Sequence, residues 1–185
     1  MRIIAGEAKG HSLKCPKEPR IRPTADLVRG AIFSALEAAA IDWSSILDLY
    51  AGTGAMGIEA LSRGAEEADF VEQNAKCCSI INENLKHTGF TERARVYRLD
   101  AGKALRNLKK RYTLIFLDPP YSDQGFWAVL GDIATSDLVE NKTTIVLEHS
   151  QKSKPEASYG SFHITNNLHH GDTYVSIFRH EGGRN

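Results

Sequence analysis

Residues 114–124 read LIFLDPPYSDQ: an apolar run, an acid, two prolines and an aromatic ring. Proline has no N–H to give a sheet ladder, so a buried strand must stop near Asp118. A turn by itself needs neither the carboxylate nor the stiffness of Pro119-Pro120. The combination suits the methylation of an amine on a nucleobase. Such an amine is a poor nucleophile, because its lone pair is delocalised into the ring. Acceptance of both its N–H hydrogens, by the Asp118 carboxylate and the Pro119 carbonyl, favours a pyramidal amine with its lone pair aimed at an incoming methyl. Tyr121 would stack on the base, a contact of about 1–3 kcal/mol in comparable base–aromatic stacks. The base must leave its own stack to get there. The scheme requires no metal and no covalent intermediate.

The methyl donor is suggested upstream, in ILDLYAGTGAMGIEAL. Gly52 to Gly57 fits G-x-G-x-x-G by letter, and Glu72 follows 20 residues after Gly52, placed to take ribose hydroxyls. Alone this pattern suits a dinucleotide. Asp48, inside the preceding strand, argues against one, since its charge would repel a pyrophosphate at the loop. A ligand with an ammonium group and no phosphate would welcome it, and S-adenosyl-L-methionine (AdoMet) meets that description. Asp100-Ala101, after the third strand, could receive the adenine amino group. Asp48, Gly52, Gly54, Glu72, Asp100 and Ala101 form the expected cofactor set, with Asp118, Pro119 and Tyr121 as the catalytic set.

These residues need a sheet to align them. Near-continuous apolar runs at 46–50, 68–72, 95–99, 113–118 and 143–148 alternate with helix-like segments at 58–64, 75–89, 101–110 and 126–134. That rhythm implies βαβ units and a parallel sheet with both faces covered. After residue 150 two strand-like stretches, SFHITNNL and TYVSIFRH, leave no room for a helix and predict an added hairpin. Residues 2–16 predict a small hairpin with glycine turns. The proline-punctuated KEPRIRPT follows, then a helix over 25–39 with Thr24 as its N-cap. The expected organisation is a basic hairpin-and-helix extension over 1–39 and a Rossmann-like α/β domain over 40–185.

With 42% apolar and 25% charged residues, the chain has the composition of an ordinary globular domain. No stretch approaches the roughly 18–20 apolar residues of a membrane span, so a cytoplasmic location is expected. Cys15, Cys77 and Cys78 match neither a disulfide framework nor a zinc pattern. Net charge is zero, yet residues 1–30 hold seven Lys/Arg against three Asp/Glu, and a second basic cluster spans 93–111. Such asymmetry can mark a polyanion footprint. His169-His170 with Asp172 is read as a loop, His149 as a local hydrogen-bonding residue, and Trp43 and Trp127 as core or rim aromatics.

The motifs together resemble the class I AdoMet-dependent methyltransferases of the amino-methylating (D/N)-P-P-(Y/F) type. Within these, the chain resembles the RsmD family of bacterial 16S rRNA (guanine-N2)-methyltransferases. The resemblance is carried by RIIAGEAKG with RPTADLVRGAIFSAL, then DLYAGTGAMGIEALSRGA, FVEQN, LDPPY, LEHS and a late GDT. The glycine loop and DPPY are widely shared among methyltransferases, and the N-terminal pairing is narrower. The resemblance implies a seven-stranded sheet with the last strand antiparallel. It also implies 16S rRNA as the substrate, within an assembling small ribosomal subunit, and a monomer is expected. Arg2, Lys9, Lys14, Arg22 and Arg29 become candidates for holding RNA, contacts that would position rather than specify. Rival readings are an N6-adenine DNA or RNA methyltransferase using the same DPPY site, a protein-amide methyltransferase, an NAD-linked oxidoreductase, and a non-catalytic RNA-binding assembly factor.

Overall fold

The computed structural model describes residues 1–16, 23–120, 125–151 and 153–183. Helix α1 (Pro23–Ala38) precedes five strands that alternate with helices: β1 (Ser45–Leu49), α2 (Ala55–Ser62), β2 (Glu67–Val71), α3 (Ala75–Thr88), β3 (Ala94–Tyr97), α4 (Ala101–Asn107), β4 (Leu114–Leu117), α5 (Phe126–Ala134) and β5 (Thr144–Ser150). Strands β6 (Ser158–Tyr159), β7 (Phe162–His170) and β8 (Thr173–His180) complete the sheet. The strand order is β3-β2-β1-β4-β5-β8-β7-β6. Strands β1 to β5 are mutually parallel, and β8 enters antiparallel to β5, with β7 antiparallel to β8.

The described sheet has eight strands rather than the expected seven. The addition is β6, whose two residues pair with the start of β7 and are too short to leave a periodicity. Two local readings also change. Helix α1 opens at Pro23, so Thr24 lies within its first turn instead of capping it. Proline is well suited to that first position because its missing N–H would have had no helical partner. His169 and His170 close β7 and are not in a loop.

Strict alternation along the strands builds two cores. Ile46, Phe70, Phe116 and Val146 face α1, α2 and α3, while Leu47, Val71, Leu117 and Leu147 face α4 and α5. Helix α3 is bounded by local chemistry. Asn74 caps it by accepting from the Lys76 and Cys77 amides at 2.8 and 3.3 Å, and Gly89 ends it at φ 80°.

The N-terminal segment belongs to the first of these cores. Ile3, Ala8 and Leu13 are buried in it beside Val28, Ile32 and Phe33 of α1. A tight hairpin, with Arg2 bridged to Ser12, crosses α2 so closely that a Cβ at Gly6 would stand 1.8 Å from the Ser62 carbonyl oxygen. Glu59, fully buried on α2, is the fastening. Its carboxylate accepts from the Ile4 and Ala5 amides at 2.8 and 3.1 Å and from Arg63 Nε at 2.8 Å. Arg63 continues to Glu37 at 2.7 Å.

Arg29 is committed to the same network and is not an RNA-facing residue. It is 3% exposed, 3.5 Å from Glu59 and 3.1 Å from Asp26, and it donates to the Arg2 carbonyl. Its charge is consumed by a buried acid distant in sequence.

Removing one member of a buried ion network leaves its partners uncompensated, at a cost of about 3–5 kcal/mol, whereas an exposed partner contributes about 0–1 kcal/mol. Glu59→Ala is therefore expected to lower unfolding free energy by about 3–5 kcal/mol in urea titrations, and Glu37→Ala by under about 1 kcal/mol. Equal effects would remove Glu59 from this role.

Candidate active site

The alternation that builds the cores also fixes the site. Phe70, Phe116 and Val146 point toward α1–α3, so the residues two further on, Glu72, Asp118 and Glu148, point the same way, as does Asp48 on β1. Strands β2, β1, β4 and β5 are adjacent. Each therefore presents one carboxylate at its C-terminal end, at a strand spacing of about 4.8 Å.

These ends border a cleft of about 1040 Å³. Gly52, Glu72, Asp100, Ala101, Asp118, Pro119 and Glu148 are all on its wall. Asp48 and Gly54, expected in the cofactor set, lie behind that wall rather than on it. No Lys or Arg is among the described residues that line the cleft, against four acids. Tyr121, the proposed stacking ring, and Arg22 lie outside the described residues.

Asp48 is 3% exposed and accepts from the Gly57 amide at 2.9 Å. Burial pushes its carboxyl up to about 8, and the charges of Asp118 and Glu72 add to the rise. Gly57 must approach this closely, since a Cβ there would be 2.4 Å from the Phe70 ring. Tyr50, Gly52 and Gly54 all have positive φ, at 67°, 54° and 76°. For a bulky residue such as Tyr50 that backbone is strained by about 1–3 kcal/mol, which the surrounding loop sustains.

Glu72 ties this loop to its strand, accepting from the Gly52 amide at 3.0 Å and the Asn74 amide at 2.7 Å. Asp100 caps α4 by accepting from the Lys103 amide at 2.9 Å, with the Lys103 ammonium 3.1 Å away. That amide hydrogen bond, with the ammonium beside it, holds its carboxyl below the usual range. Asp118 is open to solvent on the cleft side and enclosed by protein elsewhere. Desolvation by the surrounding protein pushes its carboxyl up to about 6.

Two residues that the sequence reading passed over also belong here. Asn84, fully buried on α3, accepts from the Lys14 amide at 2.7 Å and donates to the Lys14 and Thr53 carbonyls at 3.1 and 3.0 Å. It thereby joins the N-terminal segment to the glycine loop. Glu148 stands beside Asp118 on the cleft wall. His149, its neighbour, turns away: it is buried, with its ring nitrogens 3.1 Å from the Ser150 carbonyl and 3.0 Å from Ser176 Oγ. Burial lowers its pKa. Among the RNA candidates Arg2 and Lys9 are exposed, and Lys14 is exposed but paired with Glu83 at 2.6 Å.

A parallel sheet with an inserted antiparallel strand, and a cleft at the C-terminal ends of β1, β2 and β4, define a class I methyltransferase fold. The chain belongs to the family described as "Conserved hypothetical protein 95", whose model matches residues 1–179. This is the RsmD family that the motifs resemble. A Bacillus subtilis (strain 168) protein named provisionally as rRNA methyltransferase YlbH is 40% identical over 185 residues, covering 98% of this chain and 100% of that one. Ribosomal RNA small subunit methyltransferase D of Escherichia coli (strain K12) is 36% identical over 121 residues, 65% of this chain and 60% of that protein. Among solved structures, yhhF of Escherichia coli, provisionally named a methyltransferase, superposes with a TM-score of 0.83 at 26% identity, covering 98% of each chain. Among the described residues, no helix is long and apolar enough to cross a membrane.

An acid whose pKa rises on folding favours the native state less as pH climbs from its unfolded value, 3.8, to its folded one, about 8. Asp48→Asn keeps the shape and the Gly57 bond without the charge. The ligand-free variant is expected to match wild type near pH 4 and to melt at least about 3 °C higher at pH 8, using roughly 2–4 °C per kcal/mol. An unchanged or lower melting temperature at pH 8 would contradict the buried-charge assignment.

Proposed function

We propose that this protein transfers a methyl group from AdoMet to the exocyclic N2 amine of a guanine in small-subunit ribosomal RNA. The observation that carries the reading is the cleft wall, where four carboxylates meet no Lys or Arg among the described lining residues. Such a wall attracts a cationic ligand and repels a pyrophosphate. AdoMet, when bound, supplies an electrophilic methyl on a sulfonium and carries an ammonium group besides. The residues present fit it: Glu72 and Asp118 on the wall raise the negative potential, Gly52 exposes backbone, and Asp100 with Ala101 stands where β3 gives way to α4. The relatives' names supply the ribosomal substrate.

In this reading Asp118 and the Pro119 carbonyl each accept one N–H of the target amine, which holds its lone pair toward the cofactor side. Pro119-Pro120 fixes that geometry before the substrate arrives, so little reorganisation is left for the reactive step. After transfer the nitrogen must lose a proton, and Asp118, with a pKa near 6, can take it and pass it to water. Tyr121 stacks on the base. Arg2, Lys9 and Lys14, with Arg22, contact RNA phosphates outside the acidic cleft. The protein works as a cytoplasmic monomer on an assembling particle.

The test is to incubate labelled AdoMet with small subunits from a strain lacking the enzyme and to map the modified nucleotide. N2-methylguanosine is expected with the wild type. Asp118→Ala should lower turnover at saturating AdoMet by at least about 10²-fold. Label on an adenine N6 would overturn the guanine assignment, and undiminished Asp118→Ala turnover would overturn the role of Asp118.

A further inference from the structure

We infer that Glu148 is the residue that selects guanine, by accepting the hydrogen on its ring N1. The inference rests on the guanine-N2 reading above and adds the means of discrimination. Leu117 pairs with Leu147 across β4 and β5, so the next residues, Asp118 and Glu148, are side by side. Both line the cleft. Glu148 lies on the far side of Asp118 from β1 and β2, which carry the glycine loop and Glu72. A base whose amine is held at Asp118 therefore offers the neighbouring edge atom to Glu148.

That neighbouring atom separates the bases. Adenine and cytosine each carry an unprotonated ring nitrogen beside the amino carbon, with a lone pair that a carboxylate repels. Guanine carries N1–H there, next to the N2 amine, and a carboxylate can accept from both. Enzymes that act on an extruded base read this edge by hydrogen bonds. The neighbouring residues leave the reading to Glu148: His149 is turned into the fold against Ser176, and Asp118 is engaged with the amine itself. A carboxylate facing a lone pair gains no hydrogen bond from it, so the wrong base is rejected as well as the right one favoured.

2-Aminopurine isolates the interaction, because it keeps the amine at C2 and lacks the hydrogen on N1. The experiment uses small subunits reconstituted with guanine or 2-aminopurine at the mapped position. Wild-type protein is expected to prefer guanine by at least about 10-fold in kcat/KM, the scale of one good base contact. Glu148→Gln, whose amide can donate to an unprotonated N1, should lower that preference to under about 3-fold when both bases are compared at saturating AdoMet. A wild type that uses both bases equally, or a Glu148→Gln variant that keeps the full preference, overturns the inference. If Glu148→Gln does not bind AdoMet, Glu148→Asp replaces it and must keep a guanine preference. Failure of the underlying reading is separate and comes first: wild-type protein would then place no methyl on guanine N2.

Discussion

The burial of one acid among others at one edge of the sheet is the constraint on which this site depends. Parallel pairing of β2, β1, β4 and β5 brings Glu72, Asp48, Asp118 and Glu148 to the same face and the same end. A protein selected only for stability would not bury Asp48 beside Glu72 and Asp118. Asp48 instead sits buried with one amide partner and a pKa pushed to about 8. The arrangement is resolved most directly by a cation in the cleft. The glycine loop, the left-handed Tyr50 backbone and the Pro119-Pro120 corner then become the scaffolding that keeps carboxylates and backbone acceptors facing one volume.

Other parts of the chain support that edge from outside it. The N-terminal hairpin is clamped to α2 through Glu59, Arg29 and Arg63, and its far end is stitched by Asn84 to Thr53 in the glycine loop. A segment presenting Arg2, Lys9 and Lys14 is thus mechanically continuous with the loop beside the cleft. Arg2, Lys9 and Lys14 stand on the outer surface, apart from the acids that line the cleft.

Much of this was legible in the residue order. The five parallel strands were marked by apolar runs covered on both faces, and DPPY and DLYAGTG marked the strand ends that matter. What was not legible depended on contacts between distant residues. Arg29 looked like one more basic residue near the N-terminus, and only its burial against Glu59, 30 positions away, removes it from the candidates for RNA contact. Glu148 appeared only within the LEHS motif, because its adjacency to Asp118 exists only in the β4–β5 register. Asn84 sat inside a good helix and gave no sign that both its amide atoms reach other segments. Strand β6 has two residues, too few for any periodicity to show.

The central claim is that the cleft is built for a cation that carries no phosphate. Calorimetric titration of the ligand-free protein with AdoMet and, separately, with NAD tests it most directly. The account predicts saturable one-to-one binding of AdoMet and no heat of binding from NAD at the same concentrations. Saturable binding of NAD with none of AdoMet would contradict it.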